Sequence, residues 1–302
     1  MPVDISNISI DTLHSSLFTQ KQVTVDMLRL DQLHPIVSGN KLFKLHYFLS
    51  EISASAHKTL LTFGGAYSNH LAAAAFACRE AGIKSIGIVR GERPVIFSET
   101  LQQCLADGMK LKFISREAYA GNTENKFIDA LRAEFGEFSL VPEGGYHPMG
   151  AKGAAMILDL IKDDGYSHIC TAVGTATTLA GLLSCARPGQ IIIAIPVLKN
   201  CTTIPERIEF LLGSREKLDQ LLVFSDHHFG GYAKKTKPLI DFMNDCWQRF
   251  HLPLDFVYTA KMLYGVFDAI EKDQFPIGSR ILAIHTGGLQ GNHSLPVDSL
   301  LY

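Results

Sequence analysis

From Lys41 onward the chain alternates short continuous apolar runs with segments whose apolar residues recur at helical spacing, the pattern of a parallel α/β protein. The runs predict strands at Thr59–Phe63, Lys84–Val89, Lys110–Ile114, Ser139–Val141, His168–Ala172, Gln190–Ile195, Leu221–Phe224 and Arg280–Ile284. Most show no polar alternation, so both faces of each sheet are expected to lie under helices. Helical patterns fall near 40–54, 69–82, 98–107, 123–134, 149–164, 178–186, 204–213, 236–250 and 260–272. In the first of these, Leu42, Leu45, Leu49 and Ile52 form the stripe that would seat the helix on a core.

No repeat or low-complexity linker divides the chain, but Gly64-Gly65 and Gly144-Gly145 punctuate a β/α group of domain size. The expected organisation is a small α/β domain, 44–150, inserted into a large domain made of 1–43 and 151–302.

Four predicted strands run into glycine-rich polar junctions, and in open parallel sheets such junctions gather on the ligand-binding edge. Phe63-Gly64-Gly65-Ala66-Tyr67-Ser68-Asn69-His70 enters a helix whose first amides, with Ser68 and Asn69, would suit a carboxylate or phosphate. Val173-Gly174-Thr175-Ala176-Thr177-Thr178 sets three hydroxyls and several N–H groups around small residues. It lacks both the GK[ST] of a Walker loop and the GxGxxG of a dinucleotide fold, so a monophosphate cup is the better fit. The junctions Pro142-Glu143-Gly144-Gly145 and His285-Thr286-Gly287-Gly288 could each be ordinary turns.

A fifth segment carries the sharpest chemistry. Gly39-Asn40-Lys41-Leu42-Phe43-Lys44 delivers a lysine onto a helix start, where Asn40 could act as an N-cap or as a donor to a phenolic oxygen. Lys41 and Lys44 would share a helix face, and their mutual repulsion would favour the neutral amine that attaches to a carbonyl cofactor. A capped amphipathic helix with two solvated lysines is the plainer alternative.

Composition narrows the field. With 302 residues and 47% hydrophobic content the chain can bury a large core, and its net charge of -2 offers no electrostatic case for nucleic acid or an anionic membrane. The six cysteines form no CxxC pair, which suits reduced, mostly buried thiols. No metal site is expected: the adjacent His227 and His228 would point to opposite sides of a strand. Neither a basic leader followed by an apolar run nor a stretch of the roughly 20 apolar residues needed to span a bilayer is present, so a cytoplasmic protein is expected.

Taken in order, GNKxxKL at 39–45, GGxxSN at 64–69, PEGG at 142–145, GTxxTLAGL at 174–182, GGY at 230–232, YTxK at 258–261 and HTGG at 285–288 resemble one family. It is the 1-aminocyclopropane-1-carboxylate deaminase and D-cysteine desulfhydrase family of pyridoxal-phosphate enzymes, of tryptophan-synthase-β fold type. The resemblance implies two open, mostly parallel sheets with pyridoxal 5'-phosphate in the cleft between a small and a large domain, and a homodimer. It implies that Lys41 carries the cofactor and moves the Cα proton, that Asn40 and Asn69 bond the cofactor, and that Gly174, Thr175, Ala176, Thr177 and Thr178 hold its phosphate. Thr286, or else Thr259, meets the pyridine nitrogen. Ser68, Tyr258 and Tyr232 join Lys41 as catalytic groups, and Ser68, Asn69, His70, Tyr67, Gly145 and Tyr232 contact a small amino-acid substrate.

The family's ring-opening deaminases look to carry glutamate where this chain has Thr259, so the desulfhydrase branch is the nearer match. Phe43 stands where relatives typically have arginine. The expected activity is α,β-elimination, best exemplified by D-cysteine. Cyclopropane ring opening is the alternative, and a pyridoxal-phosphate binder with little catalysis is the rival from another class.

Overall fold

The computed structural model describes residues 5–34, 37–121, 124–162 and 165–302. In chain order the strands are β1 (Ile10–Leu13), β2 (Thr24–Arg29), β3 (Thr59–Gly64), β4 (Lys84–Arg90), β5 (Lys110–Ile114), β6 (Ser139–Val141), β7 (His168–Val173), β8 (Ile191–Pro196), β9 (Leu221–Val223) and β10 (Arg280–His285). The helices are α1 (Ser16–Gln20), α2 (Lys41–Ala54), α3 (Asn69–Glu80), α4 (Glu99–Ala106), α5 (Arg116–Ala120), α6 (Asn125–Phe135), α7 (Pro148–Ala155), α8 (Thr177–Ser184), α9 (Ile204–Leu212), α10 (Lys237–Phe250) and α11 (Thr259–Glu271).

The strands form two sheets. One is four-stranded and wholly parallel, in the order β5-β4-β3-β6; the other is six-stranded, β1-β2-β10-β7-β8-β9, and parallel except where β1 meets β2. All eight expected strands are present. β3 and β7 are buried along their whole length, as their mainly apolar runs foretell.

The sheet architecture begins before Lys41, with β1 and β2. β2 contains Asp26 and Arg29, which break its apolar run. They are accommodated by the Tyr166 hydroxyl, which donates to Asp26 at 2.8 Å, and by Asp11 and Asp31, which accept from Arg29 at 2.6 and 2.7 Å. β1 is an edge strand in which only Leu13 is buried. The expected helix at 149–164 ends at Ala155, and a 3-10 turn follows at Leu158–Leu160; residues 163 and 164 lie outside the described residues, as does 123 of the expected helix 123–134.

α2 is the keystone for position. Its Leu42, Phe43, Leu45, Phe48, Leu49 and Ile52 join a core shared with α3, α7, α8 and strands of both sheets. Burial of each such side chain contributes about 1.5–3 kcal/mol. Helix α7 meets it backbone to backbone, since a Cβ on Gly153 would lie 2.0 Å from the Phe43 carbonyl oxygen. The first turn of α2, with Lys41 and Lys44, is therefore held by packing on several sides.

Candidate active site

The four junctions and the lysine turn converge at the C-terminal ends of β3, β6, β7 and β10. A cavity of about 340 Å³ opens there, lined by Lys41, the 67–70 segment, Glu143, Gly144, Gly174, Thr175, Tyr232 and Tyr258. A smaller recess of about 50 Å³ adjoins it, lined by Asn40, Lys41, Lys44, Gly174 to Thr178 and Thr286.

Backbone contact sets the lysine turn. Gly39 has φ +84°, and a Cβ there would lie 1.8 Å from the Thr286 carbonyl oxygen, so only glycine lets the turn lie against the 286–288 strap. Asn40 N–H donates to that carbonyl at 3.1 Å, and Ser38 Oγ accepts from Gly288 N–H at 3.2 Å. Asn40 is not an N-cap: its backbone is helical and its side chain caps nothing. Instead its Nδ2 donates to Thr178 Oγ1 at 2.7 Å and its Oδ1 accepts from Lys41 Nζ at 2.6 Å.

Burial pushes the Lys41 amine down to about 8, against the opposing pull of the Asp255 carboxylate. Lys44, 4% exposed, is held well below its ordinary value, first by burial and then by the neighbouring Lys41 charge. The repulsion expected from spacing thus acts on Lys44 alone, as the smaller cause, and Lys41 is lowered by burial. Lys44 lines the recess beside the 174–178 loop, which makes it a candidate counter-charge for an anion held there.

The loop itself has the form of a cup. Ala176 is left-handed at φ +67°, turning the chain into α8, and Thr175 and Thr177 hydroxyls lie 2.8 Å apart. Arg207 reaches in from α9, its Nη1 donating to the Gly174 carbonyl at 2.9 Å and its Nε to Thr203 Oγ1 at 3.0 Å. With that carbonyl tied outward, the loop's N–H groups and the start of α8 are left for an anion.

At the other side of the cavity Ser68 caps α3, accepting from Leu71 N–H at 3.2 Å. Asn69 Nδ2 donates to the Gly288 carbonyl at 3.1 Å; its Oδ1 is buried without a partner, so this oxygen and one amide hydrogen remain for an occupant. His70 is fixed in one tautomer. Thr62 Oγ1 donates to the Val141 carbonyl at 2.7 Å and so accepts from His70 Nε2–H at 2.9 Å, leaving Nδ1 as a buried acceptor. Burial and the two lysines push His70 down to about 3, so the ring is neutral. Tyr67, 43% exposed, stands at the mouth.

Tyr258 and Tyr232 meet edge to face, centroids 6.0 Å apart and hydroxyls at 3.5 Å. Lys41 Nζ lies 5.7 Å from the centre of the Tyr258 ring. Burial raises both phenols, that of Tyr258 well above its ordinary value. Tyr258 is aimed by Asp255, whose carboxylate accepts from the N–H groups of Val257, Tyr258 and Thr259 at 2.9, 2.7 and 2.9 Å.

Two expected residues are separated from the rest. Thr259 is fully buried and lines neither cavity; its hydroxyl donates to Asp255 Oδ2 at 2.7 Å and accepts from Asp255 N–H at 2.8 Å, whereas Thr286 lines the recess. Gly145 does not line the cavity either. It packs against Lys44, where a Cβ would lie 3.3 Å from the lysine Cβ, and it is Gly144 that faces the space.

Sequence reasoning missed Arg90, Arg207 and Asp255 altogether. Arg90 ends β4 on the ligand edge, a position that topology could have flagged. Arg207 and Asp255 act from elements whose approach no local pattern announces. Among the described residues no group of three His, Cys, Asp or Glu is placed to hold a metal; His227 pairs instead with Asp268 at 2.8 Å. Nor is any described helix long and apolar enough to cross a membrane.

The donor set suits a monophosphate against Thr175 to Thr178 and Lys44, beside a carbonyl at the readily neutralised Lys41 amine. Comparison with known proteins agrees. The profile of the family described as pyridoxal-phosphate dependent enzyme matches residues 15–287. The bifunctional D-cysteine desulfhydrase/1-aminocyclopropane-1-carboxylate deaminase, mitochondrial, of Arabidopsis thaliana is 28% identical over 280 residues, covering 84% of this chain and 70% of that protein. The D-cysteine desulfhydrase of Yersinia pestis is 24% identical over 282 residues, covering 86% of each. A crystal structure described as an ACC deaminase homologue superposes with a TM-score of 0.80 at 23% identity, over 95% of this chain and 90% of that one, which establishes the shared fold.

Proposed function

The chain belongs to the pyridoxal-phosphate dependent enzymes, and within them we propose that it catalyses α,β-elimination from a small amino acid, with D-cysteine converted to pyruvate, sulfide and ammonia as the reading supported best. The observation that carries it is the pairing of a buried, readily neutralised Lys41 with a phosphate-sized recess one helical turn away, at Lys44 and Thr175 to Thr178.

When bound, pyridoxal phosphate supplies the carbonyl that attaches to an amine and a ring that draws electron density from the amino acid's α-carbon. Lys41 holds it between turnovers and takes the Cα proton; its lowered basicity keeps a useful neutral fraction near neutral pH. Lys44, the threonine hydroxyls and the α8 N-terminus hold the phosphate. Thr286 offers a hydroxyl rather than a carboxylate to the ring nitrogen, which suits elimination better than chemistry needing a strongly protonated ring.

Ser68 and the first amides of α3 receive the substrate carboxylate, with Tyr67 and neutral His70 beside it. Tyr258 and Tyr232, held neutral as donors, face the substrate side of the cavity.

Ring opening of 1-aminocyclopropane-1-carboxylate is the second reading, favoured by the double activity in the name of the Arabidopsis relative. The division into 44–150 and the remainder belongs to the same proposal, supported by a four-stranded sheet drawn wholly from 59–141. So do a homodimer and a cytoplasmic location, which light scattering and cell fractionation would test.

The deciding experiment is 2-oxo-acid release by cofactor-loaded protein from D-cysteine, L-cysteine, D-serine and 1-aminocyclopropane-1-carboxylate in parallel. Pyruvate from D-cysteine alone supports the desulfhydrase reading. Product from the cyclopropane substrate alone transfers it to ring opening, and silence across the panel overturns both.

A further inference from the structure

Between His228 and Lys234 the backbone is unusually contorted. Phe229, Gly230, Gly231 and Ala233 have φ of +50°, +89°, +117° and +51°, so four of five consecutive residues are left-handed and two of those carry a Cβ. Such positions are strained where a side chain is present and persist only when the surroundings hold them. Tyr232 is the fifth residue, and it is the one that faces the cavity.

The holding group is Lys261. It lies on α11 one turn beyond Tyr258, is fully buried, and donates from Nζ to the Gly231 carbonyl at 2.7 Å. Gly231 O also accepts from Lys234 N–H at 3.2 Å. Among the described residues no carboxylate pairs with Lys261 within 4 Å; the nearby Asp255 is occupied by three backbone N–H groups and the Thr259 hydroxyl. A lysine buried without an ion pair is expensive, and an apolar side chain would pack there at lower cost. What the amine adds is a fixed carbonyl at the centre of the contorted loop. Tyr258, the residue that precedes α11, meets the next residue, Tyr232, hydroxyl to hydroxyl at 3.5 Å.

We propose that Lys261 is a positioning residue for the reaction: by holding the Gly231 carbonyl it locks the 229–233 loop in the conformation that sets the Tyr232 hydroxyl against Tyr258 at the substrate side of the cavity. The proposal rests on the elimination reading for Tyr232's part in turnover, but the loop lock itself does not depend on it.

The test is a double-substitution cycle in the cofactor-loaded enzyme, Lys261→Met against Tyr232→Phe, with kcat and KM for whichever amino acid is turned over. Lys261→Met is expected to retain cofactor and its lysine-bound absorbance, to lose kcat/KM by at least about tenfold, and to add little further loss on top of Tyr232→Phe. Unchanged kcat/KM, additive losses, or loss of the cofactor band would overturn it. Should Lys261→Met not fold, Gly231→Ala strains the same carbonyl from the loop side and enters the same cycle with the same expectation.

An activity-independent arm reads the loop directly through tryptic cleavage after the exposed Lys234 and Lys235. The rate is expected to rise at least about tenfold in Lys261→Met while other sites are cut as before. An equal rate would overturn the lock. A wild type that turns over no amino acid, yet whose loop opens on substitution, would sink the elimination reading and leave the lock standing.

Discussion

Asn40 Nδ2 donates to Thr178 Oγ1 at 2.7 Å across 138 residues of sequence, tying the lysine turn to the threonine cup. The same side chain accepts from Lys41 Nζ, so one amide fixes the spacing between the amine and the phosphate recess. Asn40→Ala removes both bonds. Cofactor affinity should fall about tenfold or more, given a buried hydrogen bond to a charged group worth about 1.5–3 kcal/mol, as measured by equilibrium titration of the apoprotein.

The Lys41 amine, pushed down to about 8 from an ordinary 10.5, is protonated below that pH and neutral above it. Only the neutral form attacks a carbonyl. Covalent capture of added pyridoxal phosphate by apoprotein should therefore accelerate with pH up to about 8 and then level off. A rate still climbing through pH 10 would contradict the burial that lowers this group. Lys41→Ala should bind the cofactor only noncovalently and lose at least about 1000-fold in turnover, with no borohydride-fixed mass adduct on the peptide containing residue 41.

Lys44 offers a sharper discrimination. Its amine lines the recess, where a bound phosphate would favour the charged form that burial disfavours, so Lys44→Met should weaken pyridoxal phosphate by about 1.5–3 kcal/mol while leaving unphosphorylated pyridoxal almost untouched. Parallel titrations with the two aldehydes measure that difference. Equal losses for both would remove Lys44 from the phosphate.

The Thr259 hydroxyl donates to the Asp255 carboxylate and accepts from the Asp255 N–H in a fully buried cap. Thr259→Val, nearly isosteric, should destabilise the fold by about 1–3 kcal/mol in urea unfolding and leave cofactor content intact. Loss of cofactor without loss of stability would return Thr259 to the pyridine site from which its burial separates it.

These residues show which parts of the site were legible in the sequence. The mainly apolar runs of β3 and β7, which carry no Asp, Glu, Lys or Arg, foretell their burial, and the junctions after β3, β6, β7 and β10 follow from parallel topology. β2 was hidden because Asp26 and Arg29 sit inside a buried strand, and their partners Tyr166, Asp11 and Asp31 come from elsewhere in the chain. Asn40 had the residue type of a cap, yet Thr178 and Lys41 compete successfully for its amide. Gly145 and Gly144 are indistinguishable as letters; only the packing of Lys44 decides which one faces the cavity. Arg207 and Lys261 act on carbonyl oxygens 33 and 30 residues away, contacts that no periodicity encodes.

The Gly39 turn lies directly on Thr286 and Gly287. During synthesis Lys41 and its helix emerge well before the 286–288 strap on which the turn rests. A chain not yet grown to the strap thus carries the Lys41 amine without the backbone it rests against. A shortened chain lacking the 286–288 strap would forfeit that support even with every residue of the lysine helix in place.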